Sequence, residues 1–179
     1  MPAQQRGNIT RGHKNQILVL GVGNVLLSDE GVGVHVARKM MEMPFPPEVQ
    51  IMEGGTDGFA LMDVVLEADW VILVDAVRGG GPPGSIYRFE LEDCPPFPDT
   101  FKTSIHQASI LEVINISGLI GSTPRVTIIG IEPSRLEMGI ELSPEIEDKI
   151  QIVINLVLEE VARVHGKSPH KSAVTTLLR

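Results

Sequence analysis

Three side chains able to bind a metal ion, Glu30, Asp75 and His106, stand where strands and helices are predicted to meet. Glu30 follows the apolar segment 17–20 after a glycine-rich turn, and Asp75 is the polar exception near the end of the apolar segment 70–77. Because the carboxyl ends of parallel strands share one edge of a sheet, both carboxylates are expected at that edge. Two carboxylates and an imidazole suit a divalent transition metal such as nickel, zinc or iron.

Each of these residues could also have an ordinary structural role, and their spacing along the chain is not local. Acidic residues stabilise the start of a helix, and carboxylates at strand ends and histidines in loops are common in proteins without a metal. The residue types alone leave both roles open. A further carboxylate, Glu53, is predicted at the carboxyl end of the second strand, where it could act as a general base, orient a substrate or have no chemical role.

Residues 17–34 form the segment that organises the predicted fold. Its first half is aliphatic without alternation, which is typical of a strand buried on both faces of a parallel sheet. Gly21 and Gly23 allow a sharp turn after this strand. Ser28 is predicted to cap the following helix, and Asp29 lies where the helix dipole favours negative charge.

Apolar strands and amphipathic helices alternate through the rest of the chain. The Gly/Pro cluster 79–84 is too short for a helical crossover, so the next strand, 85–90, is predicted to be an antiparallel or edge strand reached by a hairpin. The other predicted strands are 49–52, 70–77 and 126–131, and the predicted helices are 32–43, 57–67, 106–117 and 144–164. This order predicts an α/β fold with a mostly parallel five-stranded sheet, strand order 2-1-3 at its centre and helices on both faces.

The chain has 179 residues, of which 42% are hydrophobic and only 4% aromatic. These values predict one domain with an aliphatic core, spanning residues 16–165. Residues 1–15 are polar and show no periodicity, so we expect a disordered leader there. Residues 166–179 are also polar and are expected to form a mobile tail.

The charge and cysteine content restrict the classes of partner and the compartment. A formal charge of −8 argues against a nucleic acid or an anionic membrane surface as partner, because both require a basic patch. No apolar run approaches the roughly 20 residues of a membrane span. Cys94 is the single cysteine and cannot form an internal disulfide, and the first residues lack a signal-peptide core, so a cytoplasmic protein is expected.

Other reactive motifs are weaker. Gly21 and Gly23 resemble the start of a dinucleotide-binding fingerprint, but its third glycine would fall at Leu26, and the acidic residues that follow would repel a pyrophosphate. We therefore interpret the two glycines as a tight strand-to-helix turn rather than as a nucleotide site. Cys94 has no neighbouring His or Lys to activate its thiol, no serine stands in a nucleophile-elbow pattern, and His35 is interpreted as a packed or solvated helix residue.

Five segments taken together resemble a known family. In chain order they are ILVLGVGNVLLSDEGVGV, EGGTDGFALMDVV, VILVDAV, SIHQ and IGIEPSRLEMGIELSP. This combination closely resembles the hydrogenase maturation endopeptidases that process the large subunit of NiFe hydrogenases, and it covers residues 16–164. The resemblance implies a three-layer αβα fold and removal of a C-terminal extension from the large-subunit precursor after nickel has been inserted.

The resemblance also implies roles for individual residues. The metal-binding Glu of the family corresponds to Glu30 in LLSDEGVG, its Asp to Asp75 in VDAV and its His to His106 in SIHQ. Similar members commonly have Asp where Glu53 stands in EGGT, so this chain departs from the pattern but retains a carboxylate.

The expected function is therefore that of a cytoplasmic peptidase acting on one protein, the hydrogenase large-subunit precursor. Nickel would be carried by the precursor or would bridge enzyme and substrate. It would either polarise the scissile carbonyl or report that the precursor is loaded. The alternative from another class is a nickel-sensing chaperone that binds the precursor without cutting it.

Overall fold

The structure is a computed structural model that describes residues 16–56, 59–93, 105–119 and 121–166. The predicted leader 1–15 and nearly all of the predicted tail 166–179 lie outside these residues, as does Cys94. The side chain of His106 is also outside the described part, although the backbone of its helix is included.

Strands and helices alternate along the described chain. The strands are β1 (Ile17–Val22), β2 (Val49–Gly55), β3 (Trp70–Ala76), β4 (Ile86–Glu90) and β5 (Arg125–Ile131). The helices are α1 (Val32–Met41), α2 (Met62–Glu67), α3 (Ile105–Leu119), α4 (Pro144–Glu147) and α5 (Ile150–His165). A short 3-10 turn, Ser28–Gly31, precedes α1, and another, Phe59–Leu61, precedes α2.

The five described strands form one sheet in the order β2-β1-β3-β5-β4. β1 pairs in parallel with β2 and β3, and β3 pairs in parallel with β5. β4 is antiparallel to β5 at the sheet edge. The predicted order 2-1-3 and the predicted antiparallel edge strand after the Gly/Pro cluster are both confirmed. The predicted hairpin is wrong, because β5 lies between β3 and β4 in the sheet.

Helices cover both faces of the sheet, as the successive residues of β1 show. Ile17 and Val19 belong to a buried apolar cluster with residues of α1 and α5, whereas Leu18 and Leu20 belong to a second cluster with residues of α2 and α3. Alternate residues of a strand point to opposite faces, so a central strand must be apolar at every position. The predicted three-layer αβα architecture is therefore confirmed.

Glycine residues bring α1 unusually close to the sheet. A Cβ placed on Gly21 would lie 2.0 Å from the carbonyl oxygen of Gly33, and a Cβ placed on Gly33 would lie 2.1 Å from that of Val74. These positions exclude any side chain because the neighbouring atoms belong to the backbone. The start of α1 is consequently fixed over the adjacent strands β1 and β3.

A buried carboxylate connects α5 to the edge of the sheet. Glu160 is 2% exposed and accepts hydrogen bonds from Arg88 of β4, from Arg163 one turn along α5 and from the Thr127 hydroxyl of β5. Trp70 donates its indole N–H to the same hydroxyl at 3.1 Å. Burial alone would raise the pKa of Glu160, but the hydrogen bonds from Arg163 and Arg88 outweigh it and hold the pKa below its ordinary value.

The predicted continuous helix 144–164 is wrong in one respect, because it divides into α4 and α5. The Lys149 N–H donates to the Ile146 carbonyl three residues earlier, at 2.9 Å, so the chain tightens at this point. Ile146 and Ile150 on either side are both buried in one cluster. The apolar pattern therefore continues across the break and does not reveal it. None of the described helices is both long enough and apolar enough to traverse a bilayer.

Candidate functional site

Asp75 lies near the carboxyl end of β3 and is fully buried. The neighbouring strand residues Val74 and Ala76 pack on the side of α1 and α5, so alternation directs the Asp75 side chain to the side of α2 and α3. The Ala76 N–H donates to Asp75 Oδ1 at 2.8 Å, which orients the carboxylate.

Glu30 lies in the 3-10 turn that leads from β1 into α1, and it is only 9% exposed. This turn packs against β3. Gly23, whose φ is +127°, approaches it so closely that a Cβ there would lie 1.8 Å from the Glu30 carbonyl oxygen. The backbone position of Glu30 is therefore fixed from one side by Gly23 and, through α1, from the other by the Gly33 contact.

The two carboxylate-bearing segments follow neighbouring strands. Gly21 of β1 pairs with Val74 of β3, so both strands reach the same edge of the sheet. The chain leaves β1 through α1 on one face and enters β3 from α2 on the other face. This arrangement is a topological switch point, where ligands bind in open α/β sheets. The structure thus brings Glu30 and Asp75 to one edge, as predicted from the sequence.

The backbone of α3 places His106 at this same edge. After the helix, the Ser122 N–H donates to the Ser117 carbonyl, and the Ser122 hydroxyl donates to the Leu66 carbonyl at the end of α2. The end of α3 is therefore at the amino edge, where β3 and β5 begin. Fifteen residues span about 22 Å of helix, which brings the first turn back to the carboxyl edge. No group of three His, Cys, Asp or Glu side chains positioned for a metal occurs among the described residues, so the role of His106 as a ligand stays a prediction.

Glu53 is exposed at the carboxyl end of β2, opposite Gly21 of β1. The Arg38 Nε–H of α1 donates to Glu53 Oε2 at 2.7 Å, and both side chains are about half exposed, 53% and 45% respectively. The predicted location at the edge is thus confirmed. Its predicted role in catalysis or substrate orientation stays a prediction.

Asp29 is a residue whose importance the sequence reasoning missed. It is fully buried, and it accepts hydrogen bonds from the N–H groups of Ser134 (3.0 Å), Arg135 (2.9 Å) and Ser143 (2.6 Å). The Ser143 hydroxyl also donates to it, at 2.9 Å. Instead of stabilising a helix dipole, Asp29 fixes the segment 134–143, which we call the 134–143 loop. The sequence contains one indirect signal of this anchor. Segment 134–143 has no predicted secondary structure, so its backbone N–H groups need hydrogen-bond acceptors elsewhere in the protein.

The same loop is attached to the residues just before Asp29. The Gly139 N–H donates to the Leu26 carbonyl at 3.0 Å, and the Ser28 N–H donates to the Gly139 carbonyl at 2.8 Å. The Ser28 hydroxyl donates to the Glu137 carbonyl at 3.0 Å. Ser28 has a φ of +48° and makes no side-chain cap, so the predicted N-cap is wrong. Its hydroxyl is used by the loop instead.

His35 of α1 also contacts this loop, through a hydrogen bond with the backbone of Ile140. Burial, followed by the nearby charge of Arg38, lowers the pKa of His35 below its ordinary value. The histidine is therefore neutral at physiological pH and partly buried, in agreement with its interpretation as a packed helix residue.

A second carboxylate shapes the edge beside Asp75. Asp75 pairs with Gly130 of β5, and Gly130 with Tyr87 of β4. Glu132, just after β5, accepts hydrogen bonds from the Tyr87 hydroxyl and the Gly79 N–H, both at 2.7 Å. Burial and the bond to Glu132 raise the pKa of Tyr87. The Glu132 carboxylate therefore fixes the turn between β3 and β4, and these hydrogen bonds occupy it, so we do not count it among the candidate metal ligands.

The donor set at the carboxyl edge fits a divalent cation. Glu30 and Asp75 follow adjacent strands and are largely removed from water. Carboxylate oxygens and an imidazole from the first turn of α3 would form a mixed oxygen and nitrogen set that suits a transition metal.

Comparison with known proteins identifies several relatives. The family model described as HycI, hydrogenase maturation protease, matches residues 34–160. The chain is 37% identical over 151 residues to a hydrogenase expression/formation protein, HupD, of Thiocapsa roseopersicina, covering 83% of this chain and 68% of the relative. It is 35% identical over 146 residues to the hydrogenase 2 maturation protease of Escherichia coli, covering 80% and 88%. The solved structure of the hydrogenase maturating endopeptidase HybD from E. coli superposes with a TM-score of 0.77 at 33% identity, covering 83% of this chain and 93% of that one.

Proposed function

Because this chain belongs to the hydrogenase maturation protease family, we propose that it removes a C-terminal extension from the large-subunit precursor of a NiFe hydrogenase after nickel has been inserted. The family match covers both the Asp75 strand and the segment containing His106. The shared fold with a maturating endopeptidase supports the same activity.

One observation carries the site assignment: Glu30 and Asp75 follow the adjacent strands β1 and β3 at the switch point of the sheet. The first turn of α3, with His106, is at the same edge. We assign these three residues to recognition of the nickel that the precursor brings to the enzyme. Nickel is in this respect part of the substrate.

The protein's own contribution is to orient the ligands. The Ala76 N–H holds one oxygen of Asp75, so its carboxylate is oriented before the precursor arrives. The contact with Gly23 fixes the backbone of Glu30. Preorganised groups lose little conformational freedom on binding. A bound divalent metal would supply Lewis-acid polarisation of a carbonyl, and a purely positional role for nickel would use the same three residues.

Glu53 is the candidate for a general base or a substrate-orienting group. It lies at the same edge as the metal candidates and is exposed to an incoming substrate. Its partner Arg38 would have to release it, or share it, when a peptide binds. An exposed ion pair of this kind costs at most about 1 kcal/mol to break.

The test uses purified precursor with and without nickel, offered to the wild type and to Glu30→Gln, Asp75→Asn and His106→Ala, with intact mass as the readout. The wild type should release the C-terminal fragment only from loaded precursor, and each variant should cut at least about 100-fold more slowly, since loss of one group that acts in the transition state typically costs this much. Glu67→Gln, an exposed change at the far end of α2, is the matched control and should cut normally. An unchanged mass with tight precursor binding would indicate a non-cleaving, nickel-sensing chaperone instead.

A further inference from the structure

Three exposed apolar side chains surround the contact between the 134–143 loop and the turn before Glu30. Leu26 is 55% exposed, Met138 is 81% exposed and Ile140 is 68% exposed. Gly139, between Met138 and Ile140, pairs with Leu27 in an isolated parallel bridge. These three side chains therefore lie within one residue of the same bridge and form one surface, which we call the apolar patch.

The geometry of Gly139 shows which way the patch points. A Cβ on Gly139 would lie 2.8 Å from Ser28 Oγ, so this position points toward the protein. Flanking residues in an extended segment point the opposite way. Met138 and Ile140 are accordingly directed to solvent, in agreement with their exposure.

The patch is held rigidly although it adds nothing to the core. The carboxylate of Asp29 and the backbone and hydroxyl of Ser28 bind the loop on both sides of Met138. Large apolar side chains exposed on a fixed backbone are typical of binding surfaces, because little entropy is lost when a partner covers them. Packing of the core therefore does not explain why these positions are apolar, whereas binding of a partner protein does.

The position of the patch identifies the partner. Leu26 and Glu30 belong to the same short segment, and Leu26 bonds directly to the loop that carries the other two side chains. The patch therefore adjoins the surface that a protein bound at the Glu30–Asp75 edge would contact. We infer that the apolar patch binds apolar side chains of the hydrogenase large-subunit precursor that lie next to its cleaved bond. This inference rests on the proposed function, and it adds a specificity surface to the ligand residues.

The test compares the double variant Met138→Gln/Ile140→Gln with Leu119→Gln. Leu119 is 87% exposed at the end of α3, on the opposite edge of the sheet, and is the matched control. Binding of nickel-loaded precursor to the immobilised protein and the KM and kcat of cleavage are measured for each. We expect the double variant to bind at least about tenfold more weakly and to show a correspondingly higher KM, since two apolar side chains would lose their contacts. Its kcat and its melting temperature should be unchanged, and the control should equal the wild type.

Binding and KM of the double variant equal to those of the wild type would overturn the inference. The inference would also be overturned if sedimentation showed that the wild type self-associates through the patch, that the double variant is monomeric, and that the double variant binds precursor as well as the wild type does. A wild type that binds precursor without cutting it would refute the proposed cleavage but not the patch, whose effect is still read from binding. A wild type that neither binds nor cuts the precursor would overturn both.

Discussion

The buried carboxylate of Asp29 accepts the backbone N–H of Ser143 at 2.6 Å, across 114 residues of sequence. This bond joins the turn after the first strand to the residue that precedes α4, beside the candidate site. The neighbouring Glu30 belongs to the same turn. Two consecutive acidic residues thus have different tasks, one structural and one assigned to ligand recognition.

The first prediction concerns this anchor. Asp29→Asn should lower the free energy of unfolding by about 2–4 kcal/mol. The reason is that the amide NH2 would face at least one of the buried backbone N–H groups that now donate to Asp29, and two donors cannot form a hydrogen bond. Urea denaturation measures the change. Asp63→Asn, an exposed change in the first turn of α2, should stay within about 0.5 kcal/mol of the wild type. Equal stability of both variants would show that the Asp29 hydrogen bonds contribute little.

The second prediction concerns the contact between α1 and the sheet. Gly33→Ala should destabilise the protein by about 2–3 kcal/mol, since the new Cβ would meet the Val74 backbone at 2.1 Å and α1 would have to move. It should also slow cleavage, because α1 positions the Glu30 turn. Gly118→Ala is the matched control: its Cβ would meet nothing closer than 3.7 Å, so it should be neutral or stabilising by up to about 1 kcal/mol. Thermal denaturation and the cleavage assay give both readouts.

The third prediction uses pH. Because the pKa of Glu160 is held below its ordinary value of 4.5, the unfolded chain takes up this proton first as the pH falls. The stability that Glu160 contributes is thus fully present above that ordinary value and is lost as the pH falls through the folded pKa.

Glu160→Gln should therefore cost about 3 kcal/mol at pH 7, when two arginines lose a buried partner, and this difference from the wild type should shrink between about pH 5 and pH 3. Unfolding by urea at several pH values measures it. The exposed neighbour Glu159→Gln serves as control. A difference that stays constant down to pH 3 would contradict the assignment.

The fourth prediction concerns the type of peptidase. Cleavage should be unaffected by serine-directed reagents, by thiol alkylation and by Cys94→Ala, because the sequence contains no pattern of an activated serine or cysteine. Omitting nickel from the precursor should abolish it. Release of the C-terminal fragment is measured by mass spectrometry. If a thiol reagent still inhibits cleavage by Cys94→Ala, the reagent acts on a group other than Cys94.

The fifth prediction concerns Glu53. If this residue orients the substrate or accepts a proton, Glu53→Gln should lower kcat/KM by about 10²–10⁴-fold while leaving stability within about 1 kcal/mol, since its ion pair with Arg38 is exposed. Glu53→Asp should retain activity better, because it keeps a carboxylate at this position. Arg38→Gln removes the ion pair but keeps the carboxylate. If Arg38→Gln and Glu53→Gln are equally impaired, the ion pair rather than the carboxylate is what cleavage requires.

The sheet could be predicted from the sequence because its central strands are buried on both faces. Apolar segments such as 17–20 and 71–74 are unfavourable anywhere that water reaches one face, and the Gly/Pro cluster between β3 and β4 was too short for the helical crossover that a parallel strand would need. The placement of Glu30 and Asp75 at one edge followed from the same parallel topology. Local patterns were therefore sufficient wherever burial determined the structure.

Hydrogen bonds between distant segments were not predictable in this way. The roles of Ser28 and Asp29 depend on the 134–143 loop, more than 100 residues away, and a local pattern favoured a helix cap and a helix dipole instead. The break after α4 leaves the apolar periodicity intact, because Ile146 and Ile150 stay in one cluster. The Asp29 anchor could be recognised only after the loop had been placed against it.

The glycine contact between α1 and β3 also determines how the two carboxylates can respond to an ion. Glu30 could move away from Asp75 only if Gly33 were to separate from Val74, and the whole start of α1 would have to shift with it. The spacing of the two backbones is thus constant, and only side-chain rotation can adjust the distance between the oxygens. Sites that cannot adapt favour ions by size and coordination geometry rather than by charge alone. Under the proposed assignment of nickel recognition to this edge, calcium, which accepts long and irregular coordination, should therefore be a poor substitute for nickel in the cleavage assay even in large excess.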